Sequence, residues 1–173
     1  FRVVGKAHPK VDGVAKATGQ ALYTDDIALP GMLHCKILRS TMAHARIVSI
    51  DSSAALALPG VHAVITGKDM PIPYGVIVWT PDEHALALDK VRFIGDEVAA
   101  VAAIDEDTAN AALKLIEVTY EPLHPYVDPF ESLARADPAI HEGRKEGNVS
   151  KHVDLAFGDV DAAFAAADLV VED

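Results

Sequence analysis

Aliphatic and polar positions alternate from Leu33 to Leu38, and a second aliphatic-rich run spans Ala45 to Ile50; each predicts a strand. A further strand is predicted at Ala21 to Asp25. Asp51 and Ser52 can cap a short helix through Leu58, because their side-chain oxygens accept from orphan amides. Pro59-Gly60 stops that helix, and Val61 to Thr66 returns as a strand. The stretch Asp89 to Ala103 reads as a hairpin: a strand at Val91 to Ile94, a turn at Gly95-Asp96-Glu97, and a strand at Val98 to Ala103. The last of these carries almost no polar residue, which suits burial on both faces. Asp105 then looks like the cap of a helix from Glu106 to Ile116. Ala109, Ala112, Leu113 and Ile116 form its apolar face, and Glu106 and Asp107 suit the positive end of its dipole. Glu117 to Glu121 predicts the next strand, which Pro122 and Pro125 end. A short helix is predicted at Pro129 to Ala134. A last one, Val160 to Ala167, is capped by Asp159 and precedes a final apolar run read as a strand.

Between these elements, residues 1–20 are punctuated by Gly, Lys and Pro without any period, as in an irregular arm. Residues 67–88 form the longest irregular connection, with Pro71, Pro73, Pro81 and Trp79. Connections of that length are usually functional or partner-contacting. Residues 135–157 are polar, Gly-punctuated and contain four basic residues, which predicts a surface linker. Two segments share one grammar: strand, Ile50-Asp51, helix, strand, and strand, Ile104-Asp105, helix, strand. They predict two β-α-β units in one mixed sheet. The fold class expected is α+β, a mixed sheet with two or three helices.

Composition narrows the function. The 173 residues fit one domain, or one domain plus a tail. The net charge of −11 argues against binding nucleic acid, which needs clustered Lys and Arg against phosphate. No apolar run approaches a membrane span. The one cysteine, Cys35, excludes an internal disulfide and any Cys-based iron–sulfur or zinc site. It is expected to be a buried strand thiol, in a reducing, cytoplasmic setting. A start at Phe1 and a stop within Val170-Val171-Glu172-Asp173 predict a piece of a longer polypeptide.

Candidate chemistry is sparse. No Gly-x-Gly occurs, and Gly13 to Gly19, followed by Gln20, fails the phosphate-loop pattern. The eight histidines never pair at a metal-binding helical spacing, and Glu83-His84 lacks the second His of a zinc protease. Asp105-Glu106-Asp107 resembles the start of a calcium loop, but Asn110 and Ile116 occupy the positions that need Gly and Glu. No nucleophile elbow is present; the nucleophile candidates are Ser40 near His44, and Cys35. Arg39 and Arg46 beside buried strands must be paired or anchored. Either they form structural ion pairs with Asp51, Asp89 or Glu97, or one of them braces neighbouring domains. Asp96-Glu97 is a solvated turn or a docking point.

Two blocks carry a resemblance: Leu38-Arg39-Ser40-Thr41-Met42-Ala43-His44-Ala45-Arg46-Ile47, and Asp89 to Ala103. Around them stand Asp12-Gly13, Lys16, Thr18-Gly19, Pro30-Gly31-Met32-Leu33, Leu58-Pro59-Gly60-Val61, Ile116 to Glu121 and Gly158-Asp159-Val160. Together they resemble the large, molybdenum-carrying subunit of the xanthine dehydrogenase and aldehyde oxidase family, over its first, α/β hammerhead domain. Thr41, where relatives usually have Pro, and His124-Pro125-Tyr126 depart from that pattern. Pro71 to Ile77, continuing through Glu83, looks most like the α subunit of 4-hydroxybenzoyl-CoA reductase.

The resemblance implies an arm at 1–20 and a hammerhead domain at 21–134. A linker then leads, over 135–173, into a following molybdenum-cofactor-binding domain. It implies a structural part of a molybdopterin-dependent oxidoreductase, with reductive dehydroxylation of an aromatic acyl-CoA as the nearer match. An aldehyde, xanthine or carbon monoxide dehydrogenase is the alternative. The complete enzyme would use molybdopterin cytosine dinucleotide, with 2Fe-2S and 4Fe-4S clusters and FAD on iron–sulfur and flavoprotein partner subunits. No catalytic, cofactor-binding or metal residue is assigned within this chain. Its partners would be the later cofactor domains of the same subunit. A free-standing protein-interaction module, using the Trp79 loop, is the non-enzymatic rival.

Overall fold

A computed structural model of the chain describes residues 1–75, 81–135, 137–143 and 146–172. Trp79, and with it the centre of the 67–88 connection, lies outside the described residues. The elements are α1 (Gly13–Ala17), a 3₁₀ turn (Thr24–Asp26), β1 (His34–Arg39), β2 (Ala45–Asp51), α2 (Ser53–Leu56) and β3 (Val61–Thr66). They continue with β4 (Lys90–Val91), β5 (Glu97–Ala103), α3 (Glu106–Leu113), β6 (Glu117–Pro122), α4 (Pro129–Ala134) and α5 (Val160–Ala165). The fold is α+β, and α2, α3 and α4 are the described helices between residues 21 and 134.

The described strands form two three-stranded sheets, ordered β1–β5–β3 and β4–β2–β6, rather than one. Each strand–helix–strand segment therefore leaves one sheet and enters the other: β2 leads through α2 to β3, and β5 through α3 to β6. The expected hairpin is also absent, because β4 pairs with β2 while β5 sits between β1 and β3. Its turn is real, but it connects two sheets. β2 and β6 are antiparallel from Ala45↔Pro122 to Asp51↔Glu117, with a register shift between Ile47 and Ser49 that leaves Val48 exposed.

The chain divides into two compact units. The first comprises Phe1–Lys36, Ser52–Val64 and Val101–Ile116. Here α2 packs on α3 through small residues: Ala55, Ala109 and Ala112 are each 0% exposed. Asp105 caps α3 as its sequence predicts, accepting from the Thr108 amide at 2.7 Å. Gly60 turns at φ +91°, and its carbonyl accepts from the Ile104 amide at 2.9 Å. A Cβ there would meet the Ile104 side chain at 2.9 Å. Ser52 stands at the start of α2 without a side-chain capping bond, and α2 ends at Leu56, short of Leu58.

The second unit comprises Ile37–Asp51, Ile65–Ala100 and Glu117–Asp173. Its core is Ala45, Ala87, Val91 and Val98, with Met42, Ile47, Ile50, Val118 and Tyr120 packed against it. Here α4 has its expected bounds: Asp128 accepts from the Phe130 amide at 2.8 Å and Pro129 occupies the first turn, where its missing N–H costs nothing. Asp159 caps α5 through the Ala162 amide at 2.9 Å, but the helix ends at Ala165. Residues 169–172 form no described strand, and Ala21 to Asp25 gives an extended approach to the 3₁₀ turn instead of a strand. Helix α3 likewise closes at Leu113, its last turn tightening as Leu115 N–H reaches the Ala112 carbonyl at 3.0 Å.

Candidate functional site

The densest polar arrangement lies in the second unit, around β4 and the turn after it. Lys90 retains only 2% side-chain exposure. A buried ammonium must find compensating partners. Lys90 Nζ donates to Glu142 Oε1 at 2.5 Å and to the Ala139 carbonyl at 2.7 Å. Arg92 extends the clamp: its Nε donates to the Ile140 carbonyl at 3.0 Å, and its Nη2 lies 3.5 Å from Glu142 Oε2. His141 Nδ1 lies 2.8 Å from Asp82 Oδ2. Residues 139–142, read from sequence as surface linker, are thus each held by a polar contact. Burial pushes the Glu142 carboxyl upward, but the hydrogen bond from Lys90 and the nearby cations outweigh it and hold it below the usual range.

The turn after β4 is set by Asp96. One carboxylate oxygen accepts from the Arg92 amide at 2.9 Å. Its backbone carbonyl accepts from the Ser40 amide at 2.8 Å, and the Gly95 amide donates to the Ser40 carbonyl at 2.8 Å. Desolvation raises the Asp96 pKa, so this is a half-buried structural carboxylate, not the solvated turn residue its position suggested. The turn, residues 82–84 and His141 line a cleft of about 250 Å³, rimmed by the half-exposed rings of Tyr74 and Phe93. Tyr74 and Glu83 exchange backbone hydrogen bonds of 2.7 and 2.9 Å across it.

The residues singled out from sequence are not brought together. Ser40 Oγ bonds the Met42 backbone, at 2.9 Å to both its carbonyl and its amide. His44 Nδ1 donates to the His124 carbonyl at 2.7 Å, so serine and histidine form no pair. His44 is buried, which lowers its pKa despite that hydrogen bond, and its Nε2 has no hydrogen-bond partner among the described residues. His124 bonds Glu131 Oε1 through Nε2 at 2.7 Å. It meets Tyr126 edge-on, with centroids 5.0 Å apart. Arg39 takes the structural reading, with Glu97 at 2.6 Å and the Gly95 carbonyl at 2.8 Å. Arg46 is exposed, in register with Lys90 and Glu121. Cys35 is exposed rather than buried, because the alternation of β1 turns His34, Lys36 and Leu38 inward instead.

The sequence pattern singles out neither Lys90 nor Glu142. The partners of Lys90, Ala139 and Glu142, lie some fifty residues later in the chain. No three His, Cys, Asp or Glu side chains among the described residues are grouped to hold a metal ion. No helix of the described residues is long and apolar enough to cross a membrane.

Residues 18–124 match the family model for the a/b hammerhead domain of aldehyde oxidase and xanthine dehydrogenase. The chain is 41% identical over 164 residues to a probable xanthine dehydrogenase subunit of Bacillus subtilis (strain 168), covering 94% of this chain and 21% of that protein. It is 41% identical over 175 residues to the nicotinate dehydrogenase large molybdopterin subunit of Eubacterium barkeri, covering 100% of this chain and 40% of that one. The structure of the aldehyde oxidoreductase from Desulfovibrio gigas superposes with a TM-score of 0.78 at 33% identity, over 93% of this chain and 19% of that chain. The chain belongs to the aldehyde oxidase and xanthine dehydrogenase family, as its hammerhead domain. It spans between a fifth and two fifths of the length of these two curated relatives. Around this cleft the charged side chains Lys90, Arg92, Glu97, Asp82 and Glu142 are paired with one another or with Arg39 and His141.

Proposed function

We propose that the chain is the non-catalytic hammerhead part of a molybdenum-dependent oxidoreductase whose cofactor-binding domains follow residue 173. The observation that carries this reading is the pairing of two facts: nearly all of the chain matches, and it matches only a fraction of relatives whose names carry molybdopterin or xanthine dehydrogenase. The internal pairing of its buried charges supports a scaffold role. In the assembled enzyme, iron–sulfur and flavoprotein subunits would carry electrons from molybdopterin cytosine dinucleotide, in the cytoplasm. Residues 1–20 would be an arm, 21–134 the hammerhead, and 135–173 the way into the next domain.

For the reaction, the relatives' names favour oxidative hydroxylation of an activated carbon in a nitrogen heteroaromatic such as nicotinate or a purine. A second reading, reductive dehydroxylation of 4-hydroxybenzoyl-CoA, is favoured by the sequence from Pro71 through Glu83. Assays on the purified full-length complex decide between them. Molybdenum content and released CMP test the cofactor. Turnover of xanthine or nicotinate with an electron acceptor supports the first reaction, and turnover of 4-hydroxybenzoyl-CoA with a low-potential donor supports the second. A full-length complex without molybdenum overturns the whole proposal.

A further inference from the structure

Large apolar side chains crowd the surface of the second unit after residue 126. Val127, Phe130 and Leu133 are 88%, 80% and 67% exposed, at the three-residue spacing that places them along one side of α4 and its approach. Phe130 and Leu133, with Pro129 and Val149, line a groove of about 310 Å³. Among the described residues, its polar lining comes from Ser132 and Asn148. Water-exposed aromatic and leucine side chains on a groove mark a surface built to be covered.

The groove is built, not incidental. Asn148 accepts from the Ile140 amide at 2.9 Å and donates to the Arg135 carbonyl at 3.5 Å, tying the 146–149 wall both to the end of α4 and to residue 140. Residue 140 is in turn held by Arg92, and its neighbours by Lys90, whose ammonium is buried to reach Ala139 and Glu142. A buried cation thus fixes one wall of an apolar slot opposite α4. None of the described lining residues carries a charge that would attract a charged partner.

Resting on the reading that further domains follow residue 173, we propose that this groove seats an apolar segment of the same polypeptide from beyond Asp173. The matched relatives are long enough to supply one, as the chain accounts for only 21% and 40% of two of them. The Lys90–Glu142 clamp is the positioning device for that docking.

The test places the photoreactive residue p-benzoylphenylalanine at position 130 of the full-length chain in its purified complex, irradiates it, and maps the cross-link by mass spectrometry. The expected product is an intrachain cross-link to a residue after 173, lost for the most part in Glu142→Gln and retained in the conservative Lys90→Arg. A cross-link to another subunit, a cross-link to a second copy, or no cross-link in a folded complex overturns the proposal. So does an intrachain product that Glu142→Gln leaves unchanged, as far as the clamp is concerned. Molybdenum analysis of the same sample reads the underlying assignment separately: an intrachain cross-link in a metal-free protein would keep the docking and remove the enzyme.

Discussion

Arg39 on β1 reaches Glu97, the first residue of β5, at 2.6 Å, and the same guanidinium nitrogen reaches the Gly95 carbonyl at 2.8 Å. The guanidinium thus closes the turn that delivers the chain from β4 into the middle of the other sheet. Its side chain is 53% exposed, so water screens the pair. We expect Arg39→Ala to cost less than about 1 kcal/mol. In the proposed full-length complex, subunit assembly, molybdenum content and turnover should be unchanged. A variant complex that assembles poorly would return Arg39 to the bracing role.

Lys90 and Glu142 behave asymmetrically. Removing the carboxylate strands a buried ammonium, whereas removing the ammonium leaves a carboxylate that is 58% exposed and can turn to water. Glu142→Ala should therefore destabilise the second unit by about 1–3 kcal/mol. Lys90→Met, which keeps the apolar stem, should cost less. Hydrogen exchange at the Val91 amide in the full-length protein measures both, and equal losses would contradict the asymmetry.

Gly67 and Gly95 are required for different reasons. A Cβ on Gly67 would lie 2.7 Å from Leu88 Cα, a collision with backbone that cannot rotate away. Gly95 has φ +97° with open space around it. Gly67→Ala should cost about 1–3 kcal/mol through overpacking, and Gly95→Ala about 1–2 kcal/mol through left-handed strain alone. Urea midpoints should rank them in that order.

Burial lowers the pKa of His44 from its ordinary 6.5, with Lys90 adding to the effect and the His124 carbonyl opposing it. The unfolded chain then binds the proton more readily than the folded one, so stability is complete above 6.5 and falls as the pH drops below it. The depressed Glu142 acts in the same direction in a lower window, beneath its ordinary 4.5. Asp96, raised by burial, works the other way, since acid relieves its desolvated charge. His44→Asn keeps a donor for the His124 carbonyl and removes the titration. It should flatten the decline in thermal midpoint between about pH 7 and about pH 5, and an unchanged slope would assign that decline to another group.

Local chemistry is legible in the sequence; partners distant along the chain are not. Asp105 and Asp159 announce helix starts because a cap needs only its next few amides, and both caps form as read. Alternation in β1 predicts two faces but not which one water meets, hence the misplaced Cys35. The β4–β5 hairpin fails because its turn chemistry is satisfied by Ser40, far away in sequence, and not by cross-strand pairing. Lys90 escapes notice for the same reason: its partners are Ala139 and Glu142. The family blocks point to the fold, but the cleft and the groove arise from segments with no pattern of their own.

The exchange of strands between sheets has a consequence for synthesis. The β4–β2–β6 sheet lacks one edge until the ribosome has passed Pro122, so β2 waits for more than sixty residues with its amides facing water. A chaperone binding site or a translational pause ahead of that point would fall on a half-built sheet. Truncations before Glu117 should accordingly aggregate, not merely loosen.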